Sequence, residues 1–217
     1  MEPLGIEIDV RTLFNRAHYR LTPEEKMEII RKVSTDELED AASQTEELCL
    51  AAVRLNGLAL RGVAKQTSEI CLAAVRQNGV ALRFVKEQTE ELCIEAVRQN
   101  AFSIVYVKEQ TQRICSEAVK KSCLVLRFVE CQTPELCLDV VSRCGELLEY
   151  VKEQSNDICL AAVQENGLAL EFVQNKTPEI CIAALKQNPE AIHYCEPELV
   201  LEALEILNYL NTKGDNE

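Results

Sequence analysis

The sequence predicts an all-α fold, an α-solenoid of seven 22-residue two-helix repeats, on three observations. Segments beginning at Thr45, Thr67, Thr89, Thr111, Thr133, Ser155 and Thr177 succeed one another every 22 residues without an insertion. Within each segment the apolar residues at positions 4, 5, 8 and 9, such as Leu48, Cys49, Ala52 and Val53, recur at helical spacing, and strand-like alternation is absent. The two helices of a unit, about 11 and about 8 residues, are each shorter than the roughly 12–15 residues at which an isolated helix is marginal. Stacking against neighbours must therefore supply their stability, the logic of a solenoid.

Each element has a local cause. Position 1 is Thr or Ser, whose hydroxyl caps the first backbone N–H groups, and acidic residues such as Glu46, Glu47, Glu90 and Glu91 follow at the positive end of the helix dipole. Pro134 and Pro178 fall at the first helical position, where a missing N–H costs nothing. The pairs Asn56-Gly57, Asn78-Gly79 and Asn166-Gly167 at positions 12 and 13 tolerate left-handed backbone and are expected to end the first helix that way. A second helix follows, with Ala81, Leu82, Phe84 and Val85 marking its apolar positions 15, 16, 18 and 19. With helices packed ~8–10 Å apart, the array is expected to be elongated.

The domain reading has three parts: 1–44 as an N-terminal cap with a degenerate repeat, 45–198 as the seven-repeat array, and 199–217 as a C-terminal capping helix and frayed tail. Leu199 to Leu210 is the most hydrophobic helix, and the chain is read as a monomer or a weak dimer through it.

A composition of 47% apolar and 27% charged residues over 217 positions excludes a disordered or collagenous chain. No apolar run approaches the roughly 18 residues of a membrane helix, and Glu2, Glu7 and Asp9 stand where a basic-then-apolar leader would begin. The expectation is a protein without a membrane segment or secretory signal. A net charge of −13 opposes generic nucleic-acid binding. That charge is unevenly spread: residues 45–132 carry +2 and residues 133–217 carry −11, counting Lys and Arg against Asp and Glu. Rows on the exposed faces are the candidate partner-binding residues: Arg54, Arg76, Arg98 and Lys120 at position 10, and Arg61, Arg83 and Arg127 at position 17. The position-10 row also suits the helix dipole, so helix stabilisation competes with recognition as its role.

The units, of the pattern T-P-E-L/I-C-L-x-A-V-x-Q-N-G-x-A-L-x-F/Y-V-K-x-Q, resemble over about 154 of the 217 residues a repeat family catalogued only as a domain of unknown function. The resemblance is to a family of large amoeba-infecting DNA viruses and of bacteria living inside eukaryotic cells, some of whose members are considered candidate effectors. It implies a helical-repeat interaction protein acting in a host cytoplasm, with no catalytic residues to carry over. Cys123, Cys144 and Pro189 depart from the turn Asn or Gly, and Cys195 from Val at position 19.

Seven of the eleven cysteines, Cys49, Cys71, Cys93, Cys115, Cys137, Cys159 and Cys181, form a ladder at position 5. Equivalent atoms on helices ~8–10 Å apart exceed the roughly 7 Å Cα limit of a disulfide and cannot converge on one zinc ion. The ladder is therefore read as core filling in a reducing, cytoplasmic compartment, with neither metal nor cofactor. Cys123 and Cys144, both in inter-helix turns of adjacent units, could approach one another, and Cys131 falls at the rim of its unit; a metal or regulatory disulfide there is the minor reading, with no CxxC spacing to support it. His18 and His193 accompany no nucleophile, His193 occupying the exposed position 17, and there is no HExxH, GxSxG or phosphate loop. Enzymatic chemistry is not expected. The leading expectation is a non-catalytic protein-binding scaffold. Two alternatives are a ubiquitin-ligase substrate adaptor through an F-box-like segment at 21–44, echoed by Leu21, Pro23, Ile29, Ile30, Val33, Ser34 and Leu38, and an RNA-binding helical repeat.

Overall fold

A computed structural model describes Thr22, Glu24 and residues 44–202. The expectations for the N-terminal cap and F-box-like segment, for His18, and for the C-terminal helix beyond Glu202 lie outside the described residues. Residues 44–202 are an all-α repeat solenoid with two short helices per repeat. The α-helices are α1 (Glu46–Leu55), α2 (Ser68–Gln77), α3 (Glu90–Gln99), α4 (Gln112–Lys121), α5 (Pro134–Val141), α6 (Asn156–Glu165) and α7 (Pro178–Gln187). Between and after them run η1 (Gly57–Gly62), η2 (Gly79–Phe84), η3 (Ala101–Tyr106), η4 (Cys123–Phe128), η5 (Gly145–Tyr150), η6 (Gly167–Phe172) and η7 (Pro189–Tyr194). These second helices are 3-10 helices of six residues, shorter and tighter than the sequence implies. The chain divides into two compact units after Glu109. Within each unit α-helices stack on α-helices and 3-10 helices on 3-10 helices, so every repeat contributes one element to each of two layers.

The N-terminal caps are as read. Each Thr or Ser at position 1 accepts a hydrogen bond from the position-4 backbone N–H, for example Leu48 N to Thr45 Oγ1 at 3.3 Å. Pro134 and Pro178 open α5 and α7. The core is a stack of repeated layers: position 8 is fully buried in every repeat, from Ala52 to Ala184, and so is position 16 from Leu60 to Leu170.

The Asn-Gly turn departs from expectation. No described residue has positive φ. Asn78 instead adopts extended backbone, φ −151° and ψ 111°, and closes one helix while opening the next. Its N–H donates to Ala74 O at 2.9 Å, its carbonyl accepts from Ala81 N at 2.9 Å, and its side-chain Oδ1 accepts from Val80 N at 3.0 Å. Gly79 is required for closeness rather than for a left-handed φ. A Cβ there would stand 2.5 Å from Ala96 O and 2.7 Å from Ser103 Oγ, both in the next repeat. Gly at position 13 and Ala at position 8 together let one repeat's turn sit against the following helix.

Candidate functional site

The seven ladder cysteines are free, and each is at most 6% exposed. Burial is the largest influence on each of their thiols and raises them all, that of Cys93 to about 11, where the Glu90 carboxylate adds to the effect and Lys108 opposes it. Six have the same neighbour, the glutamine at position 22 of the preceding repeat. The sulfur-to-Oε1 distance runs from 3.5 Å at Cys115–Gln110 to 4.0 Å at Cys49–Gln44.

That glutamine is the main polar clasp between repeats. Gln88 donates through Nε2 to Tyr106 O at 2.9 Å and to Leu82 O at 3.3 Å. Its Oε1 accepts from Lys108 N at 3.0 Å and from the Cys93 thiol at 3.6 Å. Gln44, Gln66, Gln110, Gln132 and Gln154 repeat the bridge to the next 3-10 helix. A second clasp joins the turns: Gly57 N donates to Gln77 Oε1 at 2.6 Å and Gly167 N to Gln187 Oε1 at 2.6 Å. Lys176 replaces the first clasp before the seventh repeat and bonds its own repeat's Val173 O instead; there the Cys181 thiol is pushed up to about 12 by burial and by a hydrogen bond with Cys195.

The predicted basic rows separate between the two layers. Position 10 lies on the α-layer, where Arg76 bonds Glu95 of the next repeat at 3.0 Å and Arg54 stands 3.8 Å from Glu69 of the next repeat. Lys120 pairs along its own helix with Glu117 at 3.3 Å, and Arg98 is exposed with an interaction of its own. These charges are largely matched by neighbouring acids.

Position 17 lies on the 3-10 layer. The Arg83 guanidinium carbon sits 5.0 Å from the Phe84 ring centre and 5.6 Å from that of Tyr106, one repeat on. Arg127 repeats this over Phe128 at 4.9 Å and Tyr150 at 5.7 Å. Arg61, Arg83 and Arg127 are all exposed, so ring stacking restrains the cations without removing them from solvent. After Arg127, acids take the same position in the next two repeats, at Glu149 and Glu171. The Glu171 carboxylate raises the Tyr194 phenol, and a hydrogen bond from Tyr150 to Glu149 raises that phenol too. His193 is exposed, as its position implies.

The sequence reading missed position 14. Successive residues of a 3-10 helix eclipse every three, so positions 14 and 17 share one outward face. In the first unit that face carries Leu58, Arg61, Val80, Arg83, Phe102 and Val105. The exposed large apolar residues described in this unit, Leu58 at 39%, Phe102 at 45% and Val105 at 46%, all lie on it. In the second unit it runs from Leu124 and Arg127 to Glu146, Glu149, Leu168, Glu171, Glu190 and His193. The signal available in the sequence was variation: positions 14 and 17 change from repeat to repeat while positions 8, 16 and 22 hardly change.

One cleft, of about 160 Å³, is lined by Glu130, Gln132, Thr133, Pro134, Cys137 and Lys152. It is below the ~300–1,000 Å³ of ligand pockets, and its lining includes the clasp residue Gln132. Among the described residues no group of three or more His, Cys, Asp or Glu is placed to hold a metal ion, and no helix is long and apolar enough to cross a membrane.

The fold and its clasps define a helical-repeat protein whose interior is one motif iterated. The model of the family described as "Domain of unknown function (DUF4116)" matches residues 45–89, 68–112 and 156–200, more than half of the chain, and the protein belongs to that family. No curated protein and no solved structure matches it.

Proposed function

We propose that this protein is a non-catalytic protein-binding scaffold, acting in a host cytoplasm, that engages its partner through the outward face of the 3-10 layer in the first unit. The observation that carries this reading is the concentration there of Leu58, Phe102 and Val105, exposed beside Arg61 and Arg83. Exposed apolar side chains gathered on one face favour recognition, and aromatic residues and arginine are the side chains most enriched at binding hot spots. The position-10 row supports the reading less, because Arg54 and Arg76 already face acids of the next repeat. The matching partner is an acidic segment with leucine or phenylalanine anchors, laid along successive repeats.

The test is a quantitative pull-down from eukaryotic lysate with the full chain. Wild type is compared with Arg61→Glu/Arg83→Glu/Phe102→Ser and with Arg54→Glu/Arg76→Glu/Arg98→Glu. Proteins depleted at least tenfold by the first variant and retained by the second support the reading. Equal recovery by both variants refutes the assignment of the face, and recovery abolished by nuclease replaces it with nucleic-acid binding.

A further inference from the structure

The four cysteines outside the ladder include one pair that the fold brings together. Cys123 Sγ and Cys144 Sγ stand 2.7 Å apart, 21 residues apart in sequence, and both side chains are partly exposed. We propose that Cys123 and Cys144 are an oxidisable dithiol that closes into a reversible disulfide between the fourth and fifth repeats.

The turn they occupy lacks the second clasp, from the position-13 N–H to the side chain at position 11 of the next repeat, that other turns of this unit make, although Gln132 still bridges these two repeats to Tyr150 O at 3.0 Å. Gly145 N donates to Glu165 Oε2 at 2.5 Å and Gly167 N to Gln187 Oε1 at 2.6 Å. At the fourth repeat the corresponding turn residue is Cys123, and position 11 of the fifth is Arg143. The Arg143 guanidinium bonds Asp139 at 2.7 Å and Val119 O at 3.4 Å instead. Neither Ser122 nor Cys144 makes the side-chain cap that Asn makes elsewhere. Helix α5 is two residues shorter than the other α-helices, and α4 and α5 pack less extensively than α5 with α6 or α6 with α7. The pair thus sits where a covalent link has most to hold.

Selectivity over the ladder thiols follows from burial, and selectivity over Cys131 and Cys195, which are partly exposed too, from the closeness of the Cys123 and Cys144 sulfurs. The ladder sulfurs are at most 6% exposed, whereas peroxide in solvent can reach Cys123 and Cys144. Burial and the hydrogen bond with Cys123 push the Cys144 thiol up to about 11. At 2.7 Å either sulfur can donate to the other, so whichever of the two loses its proton is the first nucleophile and has its partner in place. That sulfur attacks the O–O bond of a hydroperoxide, giving a sulfenic acid and releasing an alcohol, or water from hydrogen peroxide. The partner thiol then attacks the sulfenic sulfur, forming the S–S bond and expelling water. Two electrons pass from the sulfur pair to the O–O bond. A small dithiol reverses the step by exchange, leaving as its own disulfide. The sulfurs need close only about 0.7 Å to reach bonding distance.

Peptide mapping of the folded full chain tests this. The protein is treated with a few equivalents of hydrogen peroxide, alkylated and digested with trypsin, which cuts after Lys121, Arg127, Arg143 and Lys152. Cys123 then lies in peptide 122–127 and Cys144 in peptide 144–152, each the sole cysteine of its peptide. The expected product is these two peptides joined, about 2 Da below the sum of the thiol forms. It disappears with dithiothreitol and is absent from Cys123→Ser and Cys144→Ser. In the oxidised protein, hydrogen exchange at the 122–126 and 144–148 amides slows about tenfold. Both peptides recovered alkylated, linkage to Cys131 or Cys195 instead, or linkage formed equally fast in urea would each overturn the proposal.

Discussion

Replacing Gln88 by Ala removes one complete inter-repeat clasp inside the first unit. Three conventional hydrogen bonds are lost, at 2.9, 3.3 and 3.0 Å, with the weaker contact from the Cys93 thiol at 3.6 Å. At ~0.5–1.5 kcal/mol net for each conventional bond, their combined contribution is about 1.5–4.5 kcal/mol. Two effects reduce it. The Lys108 N–H is near the surface, so water replaces its acceptor, and alanine forgoes the ~1–2 kcal/mol of side-chain entropy that ordering Gln88 costs. The expected destabilisation is about 2 kcal/mol, a roughly thirtyfold loss in equilibrium constant. Urea unfolding followed by circular dichroism reads the global effect. Hydrogen exchange at the Lys108 amide reads the local one, which matters because repeat arrays depart from two-state behaviour. Glu87→Ala, one residue away and exposed, is the control and is expected to stay within ~0.5 kcal/mol. A Gln88→Ala change no larger than that control, with Lys108 protection unaltered, would refute the clasp.

Four further outcomes follow from the same packing. Leu126 is fully buried, so Leu126→Ala is expected to lower stability by ~2–5 kcal/mol in urea unfolding; a shift within error would contradict its core position. Gly79→Ala forces a Cβ against Ala96 O and Ser103 Oγ and is expected to cost ~1–3 kcal/mol, whereas a turn chosen only for flexibility would be stabilised by the change. The Ser103 hydroxyl is fully buried without a hydrogen-bond partner, and Ser103→Ala is expected to raise stability by about 1 kcal/mol in the same measurement. The Cys93 thiol titrates at about 11 when folded against 9.0 for its ordinary value. The folded state therefore holds its proton more tightly, its stabilising contribution is complete below pH 9, and it is lost as pH rises from 9 towards about 11. Urea midpoints are expected to fall over that window, and to fall less in Cys93→Ala.

The repeat, the caps and the core were legible because each rests on local chemistry or on periodicity. Thr67 caps the helix it precedes, and the 22-residue register places Ala74 and Leu82 inside. The Asn-Gly pair misled because left-handed turns and tight interhelical approaches favour the same glycine; only the neighbouring Ala96 carbonyl shows which cause operates at Gly79. The second helix has six residues, fewer than its apolar pattern implies, because positions 15, 16 and 19 are apolar in either a 3-10 or an α-helix. Gln88 looks like a polar surface residue until the next repeat is folded over it, although a glutamine recurring at the same position of successive repeats was the available clue. Among site residues, Arg83 and Arg127 emerged on a structured aromatic row, while Arg54 and Arg76 emerged beside acids that the linear sequence holds 15 and 19 residues away. The approach of Cys123 to Cys144 was readable from their turns, whereas its closeness and its place at a turn without the glycine N–H clasp were not.

The central claim is that the outward face of the first unit's 3-10 layer reads an acidic, apolar-anchored segment. The most direct measurement is selection of a random peptide display library on the immobilised full chain, followed by titration of the enriched peptides against wild type and Arg61→Glu/Arg83→Glu. The account predicts enrichment of Asp and Glu spaced between Leu or Phe, with at least tenfold weaker binding to the variant. Enriched peptides of another composition, or acidic peptides that bind the variant as tightly as wild type, would contradict it.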